Sequence, residues 1–355
     1  MCALAALANC NTTDRTRRGY LRANAAALGP PTRPVIILAG FGVTRLVDPV
    51  TGRHVWGTPR AVWQREFPDD LDLDADDRLV PAGWVGSRGP INTGWQLAIG
   101  LRKFGGYTEG HDLYPFHYDW RRSARDNAHL LGDLVERVRG RGQVDLVTHS
   151  AGAFVALAYA QRSPHVANLI MVAPLRRGSL EAFRIFLRPE RFLRRTFTPA
   201  MVATWPFVFE LLPEDGRVFV DEEGSPLDRD LWNAQEWPVG VAPQLESARA
   251  FRRALGPPAA KVTVLAGDCV PTAIRVLARR DGTYAFYPND LRENEKHLAA
   301  ILFEPGDGTV PVSSAKAAGP AMLFCDGHQG IAADPSVHRA IIRALREEPT
   351  PSHEQ

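Results

Sequence analysis

The sequence is poor in cysteine, in lysine, in long apolar runs and in net charge, and each shortage excludes something. Among 355 residues only Cys2, Cys10, Cys269 and Cys325 are cysteine. They are too few and too scattered for a disulfide framework or a zinc site. Of 42 basic residues only Lys103, Lys261, Lys296 and Lys316 are lysine, a bias of codon usage in a GC-rich genome rather than chemistry. No apolar run reaches the roughly 18 residues that a membrane-spanning helix needs. Basic and acidic side chains nearly cancel, 42 against 40, so there is no global case for a nucleic-acid partner. The opening MCALAALANC lacks a basic stretch, and Asn9 precedes Cys10. It reads as an N-terminal extension, residues 1–33, rather than an export signal, and the expected location is cytoplasmic.

What remains is an ordinary globular composition, 45% apolar and 23% charged, which rules out disorder as the dominant state. Val35–Leu38 is a continuous apolar run ending in Ala39-Gly40-Phe41-Gly42, the pattern of a buried parallel strand entering a loop. The stretch from Val43 to about Thr93 reads as loops. Leu131, Leu134, Val135 and Val138 give an amphipathic helix within 121–139. Val144–Thr148, then a helix over 151–162 stopped by Pro164, then a strand at Leu169–Ala173 make a βαβ unit, which builds parallel sheets. A further strand at Val262–Ala266 follows only after almost ninety residues. Asp281-Gly282 marks a hairpin between 275–280 and 283–287. Ala321–Phe324 reads as the last strand and Pro335–Arg346 as a closing helix. The expected architecture is α/β, a mostly parallel sheet with helices on both faces. Its core comprises 34–177 and 258–355, and 178–257 form an inserted cap.

The sharpest local feature is Thr148-His149-Ser150-Ala151-Gly152. A serine between a strand and a helix, flanked by small residues, resembles the nucleophile elbow of α/β-hydrolases, although Thr148 stands where Gly is usual. A nucleophilic serine needs a base, and the base needs an orienting carboxylate. Downstream of the insert stand His297, on what reads as a solvated helix, His338 inside the closing helix, His353 in the tail, and His328. Only His328 directly follows a strand, in Cys325-Asp326-Gly327-His328. Asp307, between Gly306 and Gly308, and Asp268, in AGDCVP, compete for the acid. Asp307 fits better because flanking glycines let its carboxylate turn inward. The amides of Phe41 and Ala151 suit a developing oxyanion.

The segments PVIILAGFG, LYPFHYDWRRS, VTHSAGA, FELLP, GDGTVP and HQGIAADPSV, in that order, resemble the lecithin:cholesterol acyltransferase family of α/β-hydrolases, from about Pro34 to Leu345. The resemblance implies the α/β-hydrolase fold, with Ser150, Asp307 and His328 as the catalytic triad and Phe41 and Ala151 as the oxyanion hole. It also implies no cofactor and no metal. Two departures bear on this. Ala153 stands where the family has Gly, adding a methyl where helix and strand pack closely. No cysteine lies between Cys10 and Cys269, so the disulfide-closed lid of secreted members is missing. Asp119-Trp120-Arg121 reads as a brace at a helix start, with direct substrate contact as the alternative.

The implied function is that of a serine hydrolase or acyltransferase working through an acyl-serine. Its partner would be a lipophilic ester or acyl donor, with an alcohol or amine as the alternative acyl acceptor. A non-catalytic relative that binds a lipophilic ligand or a protein is the competing reading, supported by the degraded elbow. Arginines interleaved with large apolar residues over 183–195 suit either peripheral contact with a lipid surface or a cap helix with solvated arginines. Some of the large apolar residues of the cap, which include Phe186, Phe192, Trp205, Phe207 and Phe209, are expected to line the entrance to the nucleophile; the alternative is that they only fasten the cap to the body.

Overall fold

The computed structural model of the chain describes residues 29–58, 71–74, 77–86, 92–187, 191–192 and 195–346. MCALAALANC, Arg188, Leu193, Arg194 and His353 lie outside them, as do the side chains of Arg191, Phe192 and Arg195.

Six segments form one parallel sheet: β1 Val35–Leu38, β2 Leu113–Phe116, β3 Val144–His149, β4 Val166–Val172, β5 Lys261–Gly267 and β6 Ala321–Phe324. Their spatial order is β6-β5-β4-β3-β1-β2. Leu38 stands opposite both Phe116 and Thr148, His149 opposite Val172, Val172 opposite Leu265, and Gly267 opposite Phe324. The carboxyl ends therefore align along one edge, and every loop that leaves them starts there.

Alternation of side chains sends successive strand residues to opposite faces. Ile36, Leu38, Leu146, Leu169 and Met171 pack with Leu131 and Val135 of the helix Ala124–Val138 and with the helix Gly152–Ala160. Val35, Ile37, Val147, Ile170 and Val172 pack with Leu97 and Leu101 of the helix Thr93–Phe104 and with Val337, Ile341 and Leu345 of the helix Pro335–Arg346. With both faces covered, the strands are mostly apolar along their length. This is the expected fold class.

Several elements differ from the expectation. β4 starts at Val166, three residues early. β2 contains Pro115, which conceals it in the sequence. Proline removes a ladder donor and is tolerated because β2 is the edge strand. The stretch expected to be loops holds a three-stranded antiparallel sheet, with Thr44–Val47 between His54–Trp56 and Val80–Trp84, and shifts of register in both pairings. Strands this short and irregular leave no period to read.

Residues 178–257 carry the helices Glu181–Leu187, Pro199–Ala203, Pro206–Glu210 and Ala242–Ala254. A second excursion follows β5. In it Val270–Ala273 pairs antiparallel with Phe303–Gly306, and Val276–Ala278 pairs with Tyr284–Ala285 across Asp281-Gly282, where Gly282 has φ +80°. The two excursions share a sheet, since Phe219–Val220 pairs with Val276–Ala278. Glu295, read as part of a solvated helix, is buried in an ion pair with Arg279 at 2.7 Å.

One reading of the cysteines is corrected. Cys269 and Cys325 form a disulfide, with Cα atoms 4.8 Å apart. They are 56 residues apart in sequence, which made them look scattered. Each lies just past the end of β5 or β6, and these strands are neighbours paired through Gly267 and Phe324.

Candidate active site

β3 ends at His149, and Ser150 turns the chain with φ +55°. This left-handed conformation is uncommon for a residue with a Cβ and costs about 1–3 kcal/mol. It is held by Ser150 N donating to Val172 O (2.9 Å) and by Ala153 N donating to Ser150 O (3.0 Å). Gly152 is obligatory, because a Cβ there would lie 2.7 Å from the carbonyl oxygens of Leu38 and Ala39. The two departures from the usual elbow are both accommodated: Thr148 is a buried member of β3 with its hydroxyl unpartnered among the described residues, and the methyl of Ala153 sits in the core.

His328 lies in the loop after β6. Its Nε2 accepts from Ser150 Oγ at 2.9 Å, and its Nδ1–H donates to Asp307 Oδ2 at 2.8 Å. A carboxylate only accepts, so this is the tautomer that satisfies both contacts. The other carboxylate oxygen of Asp307 accepts the amides of Thr309 (2.9 Å) and Val310 (2.6 Å). Burial pushes the Asp307 carboxyl up, but the facing His328 and these two amides outweigh it and hold the group below its ordinary pKa. Gly308 supplies the turn with φ +90° and donates its amide to Thr272 Oγ1.

Of the rival acids, Asp307 therefore faces the imidazole. Asp268 stays half-buried, its amide donating to Phe324 O. His338 is buried elsewhere, against the carbonyl of Ala332.

The loop after β1 comes close to the serine, since a Cβ on Gly40 would lie 3.0 Å from Ser150 Cβ. Tyr118 Oη donates to Ala39 O and Trp56 Nε1 to Gly42 O, each at 2.7 Å, fixing this loop on both sides of Phe41. Phe41 and Ala151 both border the cavity that holds Ser150 and His328. Asp119 accepts from Arg121 N, Nε and Nη2 at 2.8–3.1 Å, and the Asp119 carbonyl accepts from Asn127 Nδ2. This closed brace presents Trp120, whose ring lines the cavity.

The cavity has a volume of ≈ 280 Å³ and largely apolar walls. Residues of 178–257 line it, but Phe186, Trp205, Phe207 and Phe209, singled out in the sequence, do not. Ala182, Ile185, Phe197, Val208 and Leu211 do so, with Glu181 and Arg184. Phe186, Trp205, Phe207 and Phe209 are buried behind them. Trp205 meets Trp120 edge-on at 5.1 Å, and Phe186 packs on Trp237 at 4.7 Å. Trp205 and Phe207, which also meets Phe41 and Tyr118, join the insert to the body, while Phe186 and Phe209 pack on Trp237 within the insert. In the arginine-rich segment, Phe183 and Phe186 are buried, and Arg184 pairs with Glu181 at 2.8 Å. Tyr287 Oη also donates to Glu181.

Sequence reasoning assigned no role to His149. Its Nε2–H donates to the carbonyl oxygen of His328 at 2.8 Å. Burial first, and the facing His328 second, push its pKa down to about 3, so the ring is neutral at ordinary pH. A histidine at the end of an apolar strand gives no signal of such a contact. Among the described residues no group of His, Cys, Asp and Glu could hold a metal ion, and no helix is long and apolar enough to cross a membrane.

A strained serine after the third strand, an imidazole after the sixth and a carboxylate between them share one sheet edge, and the sequence matches the alpha/beta hydrolase family over residues 35–310. The chain belongs to the alpha/beta hydrolase family. No curated protein matches it in sequence. Among solved structures, a chain of the Tle4–Tli4 complex is similar with a TM-score of 0.66 and 13% identity, covering 88% of this chain and 98% of that one. Phospholipase PlaB from Legionella pneumophila has a TM-score of 0.43 and 14% identity, covering 91% and 62%. The Bacillus licheniformis lipase BlEst2 has a TM-score of 0.45 and 13% identity, covering 92% and 52%. Identities this low speak of the fold alone.

Proposed function

We propose that the protein is a serine hydrolase acting on an ester with a lipophilic part, through an acyl-Ser150 intermediate. One observation carries the reading: the His328 ring is within hydrogen-bond distance of both Ser150 Oγ (2.9 Å) and Asp307 Oδ2 (2.8 Å), beside an apolar cavity.

In this mechanism Ser150 Oγ attacks the ester carbonyl carbon while His328 Nε2 takes its proton. Asp307 keeps the imidazole in the receptive tautomer and stabilises the imidazolium. The carbonyl oxygen becomes an oxyanion facing the amides of Phe41 and Ala151, each such donor lowering the barrier by roughly 3 kcal/mol. The imidazolium returns its proton to the departing alcohol. Water, deprotonated by His328, then attacks the acyl-serine and releases the acid. An alcohol or amine in place of that water would make the same intermediate an acyl transfer.

The apolar walls support a lipophilic substrate, in keeping with the resemblance to the lecithin:cholesterol acyltransferase group. The non-catalytic reading drew on Thr148, and a threonine that leaves the Ser150 turn intact gives it no support. Disulfides persist in oxidising compartments, so the Cys269–Cys325 bond favours one of these over the cytoplasm. The proposal is tested with a fluorophosphonate probe. The native chain should be labelled at Ser150, and Ser150→Ala should lose both labelling and ester turnover with an unchanged thermal midpoint. Undiminished turnover by the Ala variant would refute it.

A further inference from the structure

His328 is held at four points. Its amide donates to Asp307 O at 2.8 Å, its Nδ1–H meets Asp307 Oδ2, its Nε2 meets Ser150 Oγ, and its own carbonyl oxygen accepts from His149 Nε2. Asp307 supplies two of these contacts and the nucleophile one. The fourth comes from the residue immediately before the nucleophile, at the end of the same strand. The two imidazoles lie 4.8 Å apart between centroids, tilted by 44°.

The chemistry of His149 is otherwise unfavourable for its place. It is buried at 1% exposure. A proton on Nε2 leaves Nδ1 a bare acceptor, and Nδ1 has no partner among the described residues. A buried acceptor without a donor is destabilising. An apolar side chain at the same position would pack against the sheet without that penalty. The position therefore carries a cost that the Nε2 contact helps to offset, and that contact fixes the loop bearing the base. The neighbouring Gly40 leaves room for the ring, since a Cβ there would approach Nδ1 to 3.3 Å.

We infer that His149 is a positioning residue for the proposed reaction: its Nε2–H holds the His328 carbonyl and so keeps the base loop in register with the elbow that carries Ser150. The inference rests on the reading of Ser150 and His328 given above. It requires neither a charge on His149 nor contact with substrate. A side chain that restores a donor at the Nε2 position should restore the function, and an apolar one of similar size should not.

The test compares the full chain with His149→Leu and His149→Gln, with Ser150→Ala as the inactive reference. In His149→Leu, kcat for a p-nitrophenyl ester should fall about 10²-fold, the scale of a misplacement near 1 Å, with KM and the thermal midpoint little changed. His149→Gln should recover most of that loss. Wild-type kcat in the Leu variant would overturn the inference, as would equal losses in both variants or a loss that follows the thermal midpoint. A second measurement does not depend on activity or on the variants folding. In ring-15N-histidine protein, His149 should carry a proton on Nε2 from about pH 5 to about pH 8, because the bond it makes fixes that site as the donor. A neutral ring with its proton on Nδ1 would overturn the inference. If the native chain turns over no ester, the proposed function falls, while the ring spectrum still decides whether His149 holds the His328 carbonyl.

Discussion

At the carboxyl edge of the sheet, Ser150, His328 and Asp307 are fixed by hydrogen bonds of 2.6–2.9 Å running from one side chain or amide to the next. In the insert above it, Trp205, Phe207, Phe209 and Phe186 are fixed by ring packing, with centroids 4.7–6.5 Å apart. The first region depends on particular atoms and the second on volume. Substitutions should therefore divide cleanly. Polar changes at the edge should cost rate and leave the fold, and large-to-small changes in the insert should cost the fold before the chemistry.

The largest expected effect is at Asp307. Asp307→Asn keeps the shape but loses the acceptor that fixes the His328 tautomer, so kcat should fall by about 10⁴, with little change in thermal midpoint. Asp268→Asn should leave turnover unaltered. Steady-state kinetics on the two variants decides the matter, and equal losses would remove the distinction between the two acids.

That distinction was only partly legible in the sequence. Both aspartates precede Val-Pro, and only the glycines flanking Asp307 favoured it in the sequence. The antiparallel pairing of Val270–Ala273 with Phe303–Gly306 separates them, because it lays Asp307 over the end of β5. A Cβ on Gly267 would lie 2.7 Å from Asp307 Cβ. Ser150 and His328 were legible because each directly follows an apolar strand, where proximity comes from the parallel sheet itself. β2 was hidden by Pro115, and the Cys269–Cys325 bond by the long loop between its partners. The choice of cavity residues in the insert was hidden too. Phe and Trp there look alike in sequence whether they face a cavity or a neighbouring ring.

On the insert side, Trp205→Ala should lower stability by about 3–5 kcal/mol, the range for deleting a large buried ring. It also strands the Leu71 carbonyl, which accepts from Trp205 Nε1 at 2.7 Å. The residual folded fraction should retain near-native kcat, as read by denaturant titration beside active-site titration. A collapse of kcat at full stability would blur the division.

The disulfide belongs to neither region and joins the ends of β5 and β6. Replacing both Cys269 and Cys325 with Ser should cost about 2–4 kcal/mol through the freed loop in the unfolded chain, measured by urea unfolding. If reduction leaves the midpoint unmoved, the bond does not contribute to stability.

A further effect is one of pH. The Glu210 carboxyl is buried where the insert meets the start of the helix Ala124–Val138, accepting from Ala124 N at 2.7 Å. Burial pushes its pKa up from 4.5 to about 8. Between these values the folded chain holds a proton that the unfolded chain has released, so its contribution is complete below pH 4.5 and is lost as pH rises toward 8. Glu210→Gln should flatten that part of the stability profile, seen by thermal melts across the range. An unchanged slope would assign the pH dependence to other groups.

The central claim is that the Ser150 hydroxyl becomes acylated. The most direct measurement stops a single turnover of a long-chain p-nitrophenyl ester with acid and locates the acyl group by peptide mass spectrometry. The account predicts a burst approaching one nitrophenol per chain and the acyl group on the peptide containing Ser150, with neither in Ser150→Ala. Steady turnover with no acyl-enzyme, or an acyl group on any other residue, would contradict it.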